Sequence, residues 1–584
     1  MSLEQQHEAS DPRFSAWVEA SAGAGKTKIL TDRVLRLLLA GVPPERILCL
    51  TFTKAAAAEM AMRITSRLSA WSLASDATLC DDLLRLSGRR AKQNVLERAR
   101  GLFALVVDSA EKLQVVTIHG FCQSLLRRFP LEAKLSPQFD VIDDTIAKEY
   151  LKTARDLIIR KAISEQNGPF SHAFIELAET INEAELSNLL EEIIGEQYRF
   201  REIFEGPANE KTLGNIIRTQ LNINSLEIEL KTIEEISSYD SKTLAELEKA
   251  VVILMLGNQS DRALSNTIKN WLQNKKPNRA SFEIYKLGFL TQKGSIRTRL
   301  ASVKIFNEHP SLEQTLTSEA SRLTAVDDKL KCFDLVSRNE KLAFLSQSVM
   351  QLYTENKKNN AVIDYNDLVT LANRLIENDE ISPWILYKLD GGIDHLLLDE
   401  AQDTNSDQWK IVETLVKEFF TEQNGIGNLG PRTLFVVGDP KQSIFSFQGA
   451  DPKLFKMKQQ TLKESFELAK KPWKEVKLDI SYRSSAAVLK AVDTVFEPES
   501  SEFSSIKHHP FRSGQAGLVE IWPPEGPVDR KPRDFWSVPR KQIHFDEPST
   551  RLASKIASKI SSWIKSGEIL ESRGRAIEPC DIII

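Results

Sequence analysis

The chain has 584 residues, 41% of them hydrophobic, with 25 glycines; this excludes a collagen-like or wholly disordered polypeptide and leaves apolar material for more than one core. Its 77 Lys and Arg against 81 Asp and Glu give a formal charge of −4, so no global basic charge advertises nucleic-acid binding and any such site must be local. Five dispersed cysteines form no CxxC pair, which excludes an obvious disulfide framework or structural zinc site and points to a reducing, cytoplasmic setting.

In chain order, the N-terminal MSLEQQHEASDPRF is polar and acidic, unlike a secretory signal, and no apolar run approaches a membrane span. A strand is predicted over 16–19, a helix over 27–39 closed by Gly41, a strand over 46–50, an alanine-rich helix over 55–68 and a strand near 115–118. That alternation predicts an α/β fold with a parallel sheet. Between 139 and 355 long helical patterns such as 225–256 dominate, which predicts a helical insertion; strand-like runs return at 395–398, 434–437 and 476–480. A helix is predicted over 550–566, and the final Asp581-Ile582-Ile583-Ile584 reads as an apolar strand. An open strand edge invites aggregation, so the expectation is a sequence that continues beyond Ile584.

Ala20-Ser21-Ala22-Gly23-Ala24-Gly25-Lys26-Thr27 lies between a strand and a helix and matches a phosphate-cradling loop, with Ala20 in place of the usual first glycine. Its backbone N–H groups and the helix N-terminus suit phosphate oxygens. Lys26 is placed to reach the β- and γ-phosphates of ATP, and the Thr27 hydroxyl to ligate Mg²⁺. The run His395-Leu396-Leu397-Leu398 delivers Asp399 and Glu400 at a strand end, Asp399 for Mg²⁺ and Glu400 to orient and deprotonate the attacking water. In Gln442-Ser443-Ile444-Phe445-Ser446-Phe447, an amide able to sense a γ-phosphate adjoins two rings able to stack on bases of any sequence.

These segments, in this order, resemble superfamily 1 DNA helicases of the UvrD/Rep type. Asp399-Glu400-Ala401-Gln402-Asp403 is similar to their DExx box, and Gln6 with Ala9 to their adenine-reading motif. Thr31-Asp32-Arg33 is similar to the segment whose arginine approaches adenine, Thr51-Phe52-Thr53-Lys54-Ala55-Ala56 to motif Ia and Thr117-Ile118-His119-Gly120-Phe121 to motif Ib. Val437-Gly438-Asp439-Pro440-Lys441-Gln442 resembles motif III, with Phe445 where tyrosine is commoner, and Ser481-Tyr482-Arg483-Ser484 resembles motif IV. The wording is nearest to the AddA subunits of bacterial AddAB helicase–nucleases, with RecB-type subunits as the competitor.

The resemblance implies a RecA-like motor domain 1A over 1–138 and 356–472, a 1B-like helical insertion over 139–355, and an incomplete second motor domain 2A over 473–584. It implies single-strand contacts from Phe52, Thr53, Thr117, His119, Phe121, Phe445 and Phe447, adenine stacking by Tyr482 and an arginine finger in Arg483. It also implies 3′–5′ polarity, action in double-strand break repair and recombination, single-stranded and duplex DNA as partners, and a hetero-oligomer with an AddB-like nuclease subunit. The family's later motor segments and C-terminal nuclease domain are not found before Ile584, so no nuclease activity is expected of this chain, and a non-unwinding ATP- and DNA-binding module is the alternative reading. Between Lys269 and Lys304 nine basic residues face one acid, Glu283, either a phosphate-tracking patch or a solvated charged surface.

Overall fold

A computed structural model describes residues 2–108, 113–165, 168–195, 213–221, 238–378, 384–385, 388, 392–420, 431–446, 449–495, 508–526 and 547–584. They form two compact units, one of Met1–Pro137 with Tyr365–Ile584 and one of Gln138–Asp364.

The first unit opens with α1 (Ser2–Ala9), β1 (Ser15–Ala20), α2 (Lys26–Ala40), β2 (Ile47–Thr51), α3 (Lys54–Leu73), α4 (Asp76–Ser87), α5 (Gln93–Asp108), β3 (Gln114–Thr117) and α6 (Ile118–Arg128). The second contains the short β4 (Asp140–Val141) and β5 (Val362–Ile363), after which the first resumes with β6 (His395–Leu398), β7 (Thr433–Gly438) and β8 (Trp473–Leu478). Six strands make one sheet in the order β3-β2-β6-β7-β1-β8, every pairing parallel. β2, β6 and β7 are buried along their whole length, as strands covered on both faces must be, which is why they read as unbroken apolar runs.

Strand and helix ends otherwise fall within a few residues of the sequence expectation. One strand changes its assignment: the run expected over 476–480 within a second motor domain is β8, Trp473–Leu478, the edge of the first sheet, in register with β1 from Ser15↔Trp473 to Ala20↔Leu478. Val476 and Leu478 pack into the same core as Val18 and Phe435. The terminal 582–584 form no strand; Pro579–Asp581 is a single 3₁₀ turn before them. The N-terminal half of the predicted 225–256 helix lies largely outside the described residues, and its remainder is the helix Ser241–Leu254.

The second unit is helical, its entry and exit joined by the parallel pair β4–β5, and it ends at Asp364 rather than near 355. A 50-residue helix, Pro310–Asn359, runs through it, about 75 Å long at 1.5 Å per residue. Leu312, Leu316, Leu323 and Leu330 recur on its buried face at the spacing of one helix stripe. Against it the stacked rings of Trp271 and Tyr285, 4.8 Å apart, belong to a shared core. Among the described residues no helix is long and apolar enough to cross a membrane.

Candidate active site

Because all six strands of the main sheet run parallel, the segments that follow them leave from one rim, where open α/β sheets carry their ligands. After β1 the loop at 21–25 turns into α2. Gly23 and Gly25 adopt φ of +76° and +90°, a region side chains disfavour. At Gly23 space decides as well: an added Cβ would lie 2.6 Å from Arg483 Cβ and 2.7 Å from Ser481 Oγ. The chain after β8 thus lies directly on this loop, with the Tyr482 N–H donating to the Gly23 carbonyl at 2.9 Å.

Gly25, which has no side chain, stands at the N-cap of α2, and the first-turn N–H groups of a helix have no intrahelical acceptor, an arrangement that suits an anion. A triphosphate fits this cradle by that observation. Lys26 Nζ stands 2.7 Å from Glu400 Oε2, bringing together two residues 374 positions apart. Asp399 is 5% exposed, and its carboxyl is pushed up to about 6, first by burial and then by Glu400, with Lys26 opposing. A buried carboxylate short of positive charge, together with the Thr27 hydroxyl, is the all-oxygen chemistry that suits Mg²⁺. Glu400 itself sits at φ +49°, a strained conformation for a side chain other than glycine.

The same rim carries a polar bridge that the motif reading missed. Gln402 is 1% exposed; its Nε2 donates to Glu400 Oε2 at 2.8 Å and to Asp403 Oδ2 at 3.2 Å, and its Oε1 accepts the Asp439 N–H at 2.9 Å. Asp439 in turn receives the Gln442 amide at 2.5 Å. The sequence signal was a second amide inside Asp399-Glu400-Ala401-Gln402-Asp403.

Of the expected strand-contacting residues, Phe52 after β2 and Phe445 after β7 meet with ring centroids 4.5 Å apart. Thr53 is exposed and caps α3 by accepting the Ala56 N–H. His119 packs edge-on against Tyr365 at 5.8 Å, and burial lowers its pKa. Phe447 lies outside the described residues.

Three of the expected residues have other partners in this structure. Phe121 is 2% exposed on the inward face of α6 beside Cys122 and Leu125, so it is a core ring. The Thr117 hydroxyl accepts the Gly120 N–H at 3.0 Å, capping α6 from a buried position. Arg33 is fully buried, its guanidinium donating to the carbonyls of Ala9, Asp11 and Phe14 and to Thr433, so it clamps the segment after α1 instead of presenting itself to a base. That clamp holds Gln6 nearby: Gln6 is buried, and its Oε1 accepts from Lys28 Nζ at 3.2 Å. The Tyr482 ring packs on Phe511 at 4.7 Å, and Arg483 is exposed.

The family model described as UvrD/REP helicase N-terminal domain matches residues 1–463. A curated protein from Lactobacillus gasseri, whose name makes it a component of an ATP-dependent helicase/nuclease, is 26% identical over 521 residues, 85% of this chain and 40% of its own length. A Staphylococcus carnosus protein of the same name is 24% identical over 75% of this chain and 34% of its own. The RecBCD enzyme subunit RecB of Buchnera aphidicola is 24% identical over 94% of this chain and 43% of its own. The chain therefore spans about 40% of the length of the curated relatives it matches.

Proposed function

From the premise that the chain belongs to the UvrD/REP helicase family, we propose that it is the ATP-driven motor portion of a DNA helicase subunit, hydrolysing ATP to move 3′–5′ along single-stranded DNA in double-strand break repair and recombination. The six-stranded sheet is the RecA-like motor domain 1A, and residues 138–364 are its 1B-like helical insertion. Domain 2A begins after β8, beyond Leu478, because β8 belongs to the first sheet.

One observation carries the reading. Lys26, Glu400, Gln402 and Asp439 form a continuous hydrogen-bonded line from the phosphate loop to the segment bearing Phe445, which packs on Phe52. A cleft that senses phosphate at one end and offers aromatic faces at the other suits an enzyme that must grip any base sequence. Bound Mg²⁺ supplies charge neutralisation at the phosphates. Thr27 and Asp399 would hold it, Lys26 would leave Glu400 for phosphate oxygen, and Glu400 would take the proton of the attacking water. Gln6 and Tyr482 flank the adenine end, while Arg483 approaches the phosphates from the segment lying on Gly23.

The relatives' names make those proteins parts of larger enzymes, which supports assembly with a nuclease-bearing partner of the AddB kind. Steady-state ATP hydrolysis with and without single-stranded DNA tests the proposal. Turnover that rises with DNA and is lost in Lys26→Ala supports the motor. Nucleotide and DNA binding without turnover would establish the non-unwinding module instead.

A further inference from the structure

A primary amide is the one neutral side-chain group that offers two N–H donors and a carbonyl acceptor at once, and Gln402 uses all of them. The donors reach Glu400 and Asp403 on its own segment, and the acceptor takes the backbone N–H of Asp439 at the end of the neighbouring strand β7. A second link runs beside it, with Ser443 Oγ donating to the Gln402 backbone carbonyl at 3.3 Å. Space around the amide is tight: a Cβ at Gly438 would stand 2.7 Å from Gln402 Oε1 and 2.9 Å from the Phe455 ring. A side chain 1% exposed with every polar atom engaged leaves orphaned partners when it is cut back.

From this geometry we infer that Gln402 is the positioning residue that keeps Glu400 in place once Lys26 leaves it, and that ties its position to the Asp439–Phe445 loop. The Glu400 carboxylate accepts from two groups, Lys26 at 2.7 Å and Gln402 at 2.8 Å. Lys26 is the group that a phosphate claims, so an arriving nucleotide removes one donor and leaves the other. The far side of the same amide holds Asp439, whose carboxylate receives the Gln442 side chain three residues before Phe445. Movement of that loop therefore reaches Glu400 through the Gln402 side chain, with the Ser443 contact to the Gln402 carbonyl running beside it. The inference rests on the proposed motor function and deepens it: Gln402 acts through Glu400 and Asp439.

Gln402→Glu keeps an acceptor for the Asp439 N–H and removes both donors; Gln402→Met keeps the length and removes everything polar. In both, kcat of DNA-stimulated hydrolysis falls by about tenfold or more, while the Kd of a non-hydrolysable ATP analogue with Mg²⁺ stays within about threefold, because the phosphate loop is untouched. The second readout needs no turnover: the factor by which that analogue changes affinity for an oligothymidine strand, which measures coupling between the two sites, falls toward one in both variants. Circular dichroism establishes folding, and if Gln402→Met fails to fold, Gln402→Glu decides. Folded variants with wild-type kcat and wild-type coupling overturn the inference alone. Loss of analogue affinity equal to the loss of turnover also overturns it, since the defect is then general. A wild-type chain without DNA-stimulated hydrolysis overturns the motor reading, and this inference with it.

Discussion

Lys26 holds its partner Glu400 in an ion pair between side chains 11% and 35% exposed, and it is the first residue of the helix that follows Gly25. Lys26→Ala should reduce ATP turnover by about two to three orders of magnitude, the usual loss when a preorganised charge is taken from a phosphoryl-transfer site; steady-state hydrolysis at saturating nucleotide measures it. Two buried groups, one at the start of β6 and one just past its end, make pH predictions of opposite sign. His395, bonded to Thr433 Oγ1 at 2.7 Å, has its pKa lowered to about 3 by burial and by Arg33. An unfolded histidine binds its proton near 6.5, so between these values unfolding takes up a proton and stability falls as pH drops. Asp399 runs the other way. Its carboxyl at about 6, against roughly 3.9 in an unfolded chain, makes the folded state the better proton binder, so its destabilising contribution fades as pH falls through that window. In metal-free buffer Asp399→Asn should therefore stabilise the chain at pH 7 by on the order of 1–3 kcal/mol, and by less at pH 5. Denaturant titration at the two pH values measures it, and a stabilisation that is the same at both would contradict the assignment. At this scale the turn at Gly23 and Gly25 was legible, because positive φ is the conformation that glycine takes without cost. Burial was not: Arg33 and Phe121 lie in matching motifs, yet only the packing of α2 and α6 reveals that one is a clamp and the other a core ring.

Elements turn these side chains into a surface. β2 and β7 are separated by β6 in the sheet, but the loops after them bring Phe52 and Phe445 together, a pairing that sequence spacing gives no hint of. Phe445→Ala should weaken single-strand binding by about 1–3 kcal/mol, the worth of one stacked base, and Phe445→Tyr should restore it; fluorescence anisotropy with a labelled strand reads both. The helix after β3 predicts the reverse pattern. Phe121→Ala empties a core site and should lower stability by about 3–5 kcal/mol, and the folded protein should bind strands with unchanged affinity. The alternation of strands and helices was legible because the inner strands β2, β6 and β7 are short, mostly apolar runs separated by helical patterns. The place of β8 was not legible, since joining the first sheet depends on its register with β1 and a strand's sequence does not name its neighbour.

At the scale of the whole chain a net charge of −4 offers no general attraction for nucleic acid, so salt dependence must come from local clusters. The basic stretch of the helical unit divides on inspection of its partners. Arg279 lies against Asp334 at 2.8 Å, and Lys286 reaches Asp327 at 2.6 Å and Glu283 at 2.7 Å. Lys286 and Asp327 are buried enough, at 13% and 3% side-chain exposure, to serve the fold. Lys275 and Lys276 are exposed and stand in no ion pair among the described residues. They lie between the helices Gln259–Leu272 and Arg279–Phe289, where long side chains are free to follow a phosphate backbone. Reversing both to glutamate should flatten the slope of log K against log salt for single strands by about 1.4, two phosphate contacts at roughly 0.7 each, with no change in thermal stability. Replacing Lys286 by methionine should do the opposite, destabilising the helical unit by leaving a buried carboxylate with less compensation and leaving the salt slope unchanged. A titration series between about 50 and 200 mM salt separates the two, and an unaltered slope in the double reversal would assign Lys275 and Lys276 to the solvated surface.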